Sequence, residues 1–344
     1  MNNTAAQAKT RRQWMIFTVI AVGAGFVFLL NIGLGSVRIP ISSVCRVLLG
    51  LPVESETHVS IVMKIRLPRA IGAAAGGACL AVSGLLLQIF FNNPIVEPYV
   101  LGISSGSTLF VALVMLGGVS FGMRYMTPMN MFWGALVGAL AVMMVIVLAA
   151  RKVKSIVSLL VIGIMAGALC GAATSILSAM ADRERVGTYM MWTMGSFAGV
   201  TWEQVRILAG VSSVFMLAAI LMAKPLNALL LGEKYAQSMG VGIRAFRVLI
   251  VVIASVLTAV LTAFAGPIAF IGLAVPHIVR MSMGTSDNRV LMVSMVAAGA
   301  LMSGLCDLGA RLLLSPIELP IGALTSLIGA PLVVYLLLRK DNQL

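Results

Sequence analysis

Residues 224–247 read KPLNALLLGEKYAQSMGVGIRAFR, the longest polar interruption in the second half of a chain that is otherwise mostly apolar. Gly232 and Gly240 bracket Glu233 to Met239, which apart from Tyr235 and Ser238 are good helix formers. Tyr235 and Met239 stand four residues apart, on one face of such a helix. Gly240 suits the left-handed residue that follows a helix end. The stretch therefore predicts a short amphipathic helix lying outside a bilayer. Two roles are open to it: a solvated connector, or a docking element for a cytoplasmic partner.

On its C-terminal side the apolar block from Val248 to Val279 is longer than the roughly 20 residues one membrane span needs. Gly266-Pro267 near its middle predicts a turn that divides it into two helices. The same length criterion finds candidate spans at 13–37, 70–91, 98–117, 129–150, 156–181, 205–223, 247–265, 267–283, 290–308 and 320–338. Composition agrees: of 344 residues 60% are hydrophobic and only 10% charged, where a soluble domain carries about 25%. The predicted class is an all-α polytopic membrane protein with about ten transmembrane helices in a single domain, 1–344.

The formal charge of +13 could signal nucleic acid, but no basic patch is interleaved with aromatics, so no nucleic-acid partner is expected. Cys45, Cys79, Cys170 and Cys306 are far apart and lack a C-x-x-C spacing, which signals neither a disulfide framework nor a zinc site. Lys9, Arg11 and Arg12 before an apolar run imitate a signal peptide. The run 13–37 is too long for one and has no clear cleavage site, so a retained first helix is expected.

Ten spans put both termini on one side. With that side cytoplasmic, a tail at 1–12 and the loop at 224–247 face inward, and the inner segments hold fourteen of the 24 Lys and Arg. They include Arg151, Lys152 and Lys154. Lys64, Arg66 and Arg69 cluster on the outer side and weaken the bias. Gly72 with Gly76, and Gly134 with Gly138, are spaced for close helix packing, and Gly163, Gly167 and Gly171 line one face over two turns. Val186 to Val200 is apolar but too short to span, and predicts an outer half-helix with Tyr189 and Trp192 at the membrane interface.

The 11 acidic residues decide between transport mechanisms. Only Asp307 falls in a candidate span, near its outer end and four residues before Arg311, with which it can pair. Ion-driven carriers place ionisable groups near the midplane. The near absence of such groups argues against an ion-coupled secondary transporter, although backbone-coordinated sodium keeps that alternative open. No G-x-x-x-x-G-K-[ST] loop cradles ATP, and neither H-E-x-x-H nor G-x-S-x-G is present. His58 reads as a solvated loop residue and His277 as a helix-end one. A permease powered by a separate subunit fits best.

Several blocks then point to one family. They are Arg66-Leu67-Pro68-Arg69, Ser83-Gly84 through Gln88, Asn93-Pro94-Ile95-Val96-Glu97-Pro98, and Leu101-Gly102-Ile103-Ser104-Ser105-Gly106. Further on come Leu229, Leu231, Gly232, Glu233, Ala236, Met239, Gly240 and Val241; Phe270-Ile271-Gly272-Leu273 with Pro276 to Arg280; Asp307 with Arg311; Glu318 to Gly322; and Gly329-Ala330-Pro331. In this order they resemble the permease subunits of iron-chelate and vitamin B12 ABC importers, with Met239 in place of the usual leucine.

The resemblance implies a type II importer permease fold in the bacterial cytoplasmic (inner) membrane. It implies a second permease copy, usually a homodimer, two cytoplasmic ATPase subunits carrying ATP and Mg, and a substrate-binding protein above. The chain itself would hold no cofactor, metal or catalytic residue. By the same resemblance Gly232, Glu233, Tyr235, Ala236, Met239 and Gly240 couple to the ATPase. Asn93, Ile95, Ser155, Ile156 and Val157 form inner gates, with Ile156 and Val157 departing from the hydroxyl-bearing residues of the vitamin B12 importer. Arg66, Arg69 and Arg311 dock the binding protein, and Gly163, Gly167 and Gly171 line the pathway. The implied cargo is a bulky metal chelate, ranked ferric siderophore, haem, then cobalamin by family frequency.

Overall fold

A computed structural model of the chain describes residues 2–35, 37–53, 55–117, 127–150, 152–153 and 155–341. The side chains of 2–6, 150, 156, 332 and 335–341 lie outside that description. The apolar runs fold as helices because in lipid each backbone amide must be satisfied within its own segment. In chain order these are α1 (Asn2–Gly33), α2 (Ile41–Leu48), α3 (Glu56–Ile61), α4 (Leu67–Phe90), α5 (Ile103–Met115), α6 (Pro128–Ala150) and α7 (Ile156–Met180). There follow α8 (Arg183–Thr193), α9 (Trp202–Leu221), α10 (Ala223–Leu230), α11 (Glu233–Ser238), α12 (Ile243–Ala265), α13 (Ile271–Met283), α14 (Asn288–Leu312) and α15 (Ile321–Asp341).

Among the described residues 7 helical stretches are long and apolar enough to cross a membrane, and three shorter apolar helices, α5, α13 and part of α15, bring the total to the ten expected. The chain is a multi-pass membrane protein. α4 lies at the centre, packed against α9, α12, α13 and α14, while α1 and α7 form much of the surface. The central crossings need glycine. A Cβ on Gly77 would strike the Gly299 carbonyl between α4 and α14, and one on Gly84 would strike Gly272 between α4 and α13. Gly138 meets Gly106 between α6 and α5, and Gly76 meets Phe197 and Leu261, so both G-x-x-x-G pairs serve packing.

Four expectations change in detail. The 1–12 tail is not a separate segment, since α1 is already helical from Asn2. Spans expected at 98–117 and 267–283 become helices only at Ile103 and Ile271, because Gly102 (φ 73) and Phe270 (φ 69) take left-handed backbone just before them. The half-helix expected at 186–200 runs instead over Arg183–Thr193, and Tyr189 is no interface residue. Its ring is 3% exposed, packed 5.8 Å from that of Trp192, and its hydroxyl faces Thr108 O on α5. Finally, α3 and α4 form one continuous helical stretch, Glu56–Phe90, through a π-helical turn at Val62–Arg66.

That turn accommodates Pro68. The Leu67 N–H bonds Val62 O, five residues back. In that register the Met63 carbonyl would face Pro68, which has no N–H to give. The indole N–H of Trp202 takes that carbonyl instead, at 2.7 Å.

Candidate functional site

The expected coupling segment folds as two helices, not one. α10 was hidden in the sequence because Leu226, Leu229 and Leu230 continue the apolar run of α9 past a bend at Met222. Gly232 (φ 111) turns the chain into α11, and Gly240 (φ 84) ends it, with Val241 N–H donating to Ala236 O at 3.0 Å. Ala236 is fully buried against Ala228 and Ile243, which seats α11 on the body. Tyr235 and Met239 are 48% and 61% exposed; Met239 sits one residue past the helix end. Glu233 pairs with Arg247 on α12, an exposed contact worth at most about 1 kcal/mol.

α10 is also fastened to α14. Asn227 Nδ2 donates to Asp287 Oδ1 at 2.6 Å, Asn288 N–H donates to Asn227 Oδ1 at 2.8 Å, and Arg289 N–H donates to Asp287 Oδ1 at 2.9 Å. Burial alone would raise the pKa of Asp287, but the Arg289 amide, Asn227 and the Arg289 charge outweigh it and hold the carboxyl below its usual range.

The residues expected at inner gates fall on two elements. In the loop after α4, Asn93 Oδ1 accepts from Ile95 N–H at 3.1 Å, a local turn that presents Ile95 at 39% exposure. Ser155 caps α7, accepting from Ser158 N–H at 3.4 Å, and Val157 beyond it is 69% exposed. The Ile156 side chain and the basic residues Arg151 and Lys154 lie outside the described residues.

The glycine stripe of α7 divides. Gly163 and Gly167 pack against the backbone of Leu101 and Gly102, so their smallness serves close approach to the start of α5. Gly171 faces open space.

Sequence reasoning missed Glu97. It is 2% exposed, and its Oε1 accepts from Phe270 N–H at 3.2 Å, at the start of α13. Non-helical backbone at membrane depth needs such a partner. Asn93-Pro94 marked the loop, but nothing in the sequence tied Glu97 to a helix end 173 residues away.

The three arginines expected to meet a partner's acids are 4% (Arg66), 6% (Arg69) and 5% (Arg311) exposed. The premise of free charge is corrected, because each is bonded internally, although Arg311 Nε is buried without a hydrogen-bond partner. Arg69 Nε holds Asp307 at 3.0 and 3.2 Å, and its Nη1 holds Glu318 at 3.0 and 2.9 Å. Arg311 pairs with Asp307 at 3.2 Å, as its helical spacing suggested.

Arg66 and Arg311 also close the end of α1. Arg66 donates to Ile32 O at 3.0 Å, to Gly33 O at 2.6 Å and to Val37 O; Arg311 donates to Asn31 O and Leu34 O, both at 3.2 Å, and to Asn31 Oδ1. The last carbonyls of a helix lack intrahelical donors and carry partial negative charge, so two guanidinium groups stabilise them.

A central helix crossed by glycines, short apolar helices that begin after left-handed turns and a two-helix element fastened to α14 make up a multi-helix membrane bundle. The chain belongs to the FecCD transport family, whose model matches residues 22–339. It is 36% identical over 282 residues to the hemin transport system permease protein HmuU of Yersinia pestis, covering 82% of this chain and 84% of that one. It is 38% identical over 288 residues to the vitamin B12 import system permease protein BtuC of Klebsiella pneumoniae, covering 82% and 83%. A solved metal-chelate type ABC transporter in an inward-facing conformation superposes with a TM-score of 0.80 at 29% identity, over 94% of this chain and 99% of that one.

Proposed function

We propose that this chain is the membrane-spanning permease of an ABC importer for a bulky metal chelate, working as a pair of copies. Two ATPase subunits below power it and a binding protein above delivers the cargo. The observation that carries the coupling part is α11, seated by buried Ala236 and presenting Tyr235 and Met239 outward. A short helix offering two exposed apolar side chains suits a groove on a partner. In this reading α10–α11 and both termini lie at the cytoplasmic face.

The exposed side of α7 supports the second copy. It carries Ala168, Gly171, Ala172 and Ser175, small enough for another helix to approach, between exposed Met165, Leu169 and Ile176, whose apolar bulk a second copy would cover. Ile95 and Val157 supply apolar bulk at the gates, which can close by dewetting. Docking of the binding protein at the end with Arg66, Arg69 and Arg311 stays in this reading. There the arginines shape the surface from beneath, and Glu318, with 41% of its side chain exposed, is the reachable charge. Glu97 is bonded to a helix end, so no observation favours the ion-coupled carrier.

For the cargo, the named relatives carry hemin and vitamin B12, which weighs toward a metallo-macrocycle over the ferric siderophore ranked first on family frequency. A panel of hemin, cobalamin and ferric siderophores offered to the cognate binding protein decides among them. The coupling test is Tyr235→Asp with Met239→Asp. The double variant inserts normally but loses ATPase co-purification and substrate-stimulated hydrolysis, as loss of two anchors worth about 2–4 kcal/mol requires. Intact coupling in that variant would refute the assignment.

A further inference from the structure

We infer that the groove between α6 and α12 binds an anionic phospholipid, with the phosphate on Arg244 and Arg247 and an acyl chain along the groove. The groove has a volume of about 760 Å³. Its walls are Leu140, Met144 and Val147 from α6 and Val248, Val251 and Val252 from α12. Phe90, at the end of α4, forms part of its lining. Met144 and Val248 are 58% and 57% exposed, so the groove opens sideways toward the hydrocarbon. From Arg244 to Val252 it runs about 12 Å along the helix. That is most of the roughly 15 Å depth of one leaflet's apolar half.

Both cations sit at one end, three residues apart in the first turns of α12. Arg247 stands 6.0 Å from the Phe90 ring centroid and is paired with Glu233. Arg244 has no hydrogen-bond or ion-pair partner among the described residues. The local sum, two arginines against one glutamate, leaves one positive charge for a phosphate monoanion to complete. A guanidinium presents paired N–H donors that suit phosphate oxygens. Basic pockets between transmembrane helices at the cytoplasmic side bind acidic headgroups in this way. A soluble anion would leave the apolar walls unused; a phospholipid uses both parts. The leaflet rests on the reading that puts α11 at the cytoplasmic face, but the contacts do not.

The test uses the full chain, purified in mild detergent without ATPase or chelate, washed free of lipid and titrated by native mass spectrometry. The probes are phosphatidylglycerol and phosphatidylcholine with identical chains. We expect the first phosphatidylglycerol to bind at least about tenfold tighter, in line with one or more charge-assisted contacts. Arg244→Gln with Arg247→Gln should bring it to the phosphatidylcholine level. Arg244→Gln alone, which breaks no internal bond, should remove a large part of the preference. Met144→Trp with Val248→Trp, filling the groove with both arginines intact, should weaken binding at least about fivefold.

Equal affinity of the two lipids for the wild type would overturn the proposal. So would an equal loss in Arg289→Gln, which lowers charge on the same face away from the groove, or displacement by millimolar inorganic phosphate. One-for-one release of the lipid on adding the ATPase would make the groove a protein-docking surface instead. Coupling itself is read separately by the Tyr235 and Met239 variant, so the two ideas fail independently.

Discussion

Replacing Asp307 by Asn tests whether the outer arginines hold the fold together or wait for a partner. Arg69 and Arg311 both point at Asp307, which is fully buried, and Glu318 is the second acid of the group. With Arg66 beside Arg311, three buried arginines face two acids, so no negative charge is spare. Asp307→Asn keeps the shape, removes one negative charge and turns an amide toward two guanidinium groups that are 6% and 5% exposed. Breaking a buried pair from one side costs about 3–5 kcal/mol.

An unfolding entropy of roughly 2.1 cal/mol/K per residue gives about 0.7 kcal/mol/K for a chain of this length, so the melting temperature should fall by about 4–7 °C. Thermal unfolding of the purified permease in one detergent reads this directly. The variant Arg69→Met with Asp307→Leu removes one charge of each sign but still leaves Arg311 without its acid, so it should recover only the part of the loss that Arg69 carries. A melting temperature within 1 °C of wild type in Asp307→Asn would refute the reasoning and return the arginines to the role of free surface charge.

Glu97→Ala leaves the buried Phe270 amide without its acceptor, a cost of about 1–3 kcal/mol; hydrogen exchange should rise at residues 92–102 and 270–273, and Glu97→Gln should fall between it and wild type. Asp287→Asn keeps a cap acceptor but removes the negative charge that the helix N-terminus and Arg289 favour, and should cost about 0.3–1 kcal/mol at neutral pH. Because the folded carboxyl titrates below its usual range, its contribution is full above the unfolded pKa of about 3.9 and disappears as pH falls through the folded value, so the variant and wild type should converge in acid melts. Gly77→Val should abolish folded protein in size-exclusion profiles, since the Gly299 carbonyl and the Ser303 side chain occupy the space its side chain needs.

The ten spans were legible because a span is a property of one segment: about 20 apolar residues must bury their own amides whatever surrounds them. The short helix α11 was legible for a similar reason, since Gly232 and Gly240 mark its ends locally. The partners of the arginines were not. Arg66-Leu67-Pro68-Arg69 fixes a place on the chain, but Arg69 closes on Asp307 and Glu318, 238 and 249 residues away, and spacing carries no trace of that. Positive charge expected on the outer side therefore invited an external acid, when the acids were within the same chain. Glu97 was hidden by the same distance. The stripe of Gly163 and Gly167 was read for its regularity, but a smooth helix face fits a pathway and a tight crossing equally well, and only the position of Leu101 and Gly102 reveals the crossing.

These long-range bonds fall at the two ends of one helix. α14 carries Asp307 and Arg311 near one end, locked to α4 by Arg69 and to the close of α1 by Asn31 and Leu34. At its other end Asp287 and Asn288 are locked to Asn227 of α10. The helix between them is 25 residues, about 37 Å, with no proline inside it and Gly299 pressed on Gly77 at its middle. A rod fastened so cannot bend cheaply. Any force that tilts α10 must either break the Asn227 bonds or move α14, and a moving α14 must carry the buried charges of its far end with it. Sliding an ion pair out of register in a dry site costs several kcal/mol, whereas moving it as a unit costs none of that. The cheaper response is rigid-body motion of α14 together with α4 and α1, which would carry a displacement at α10 to the buried arginines at the far end of α14.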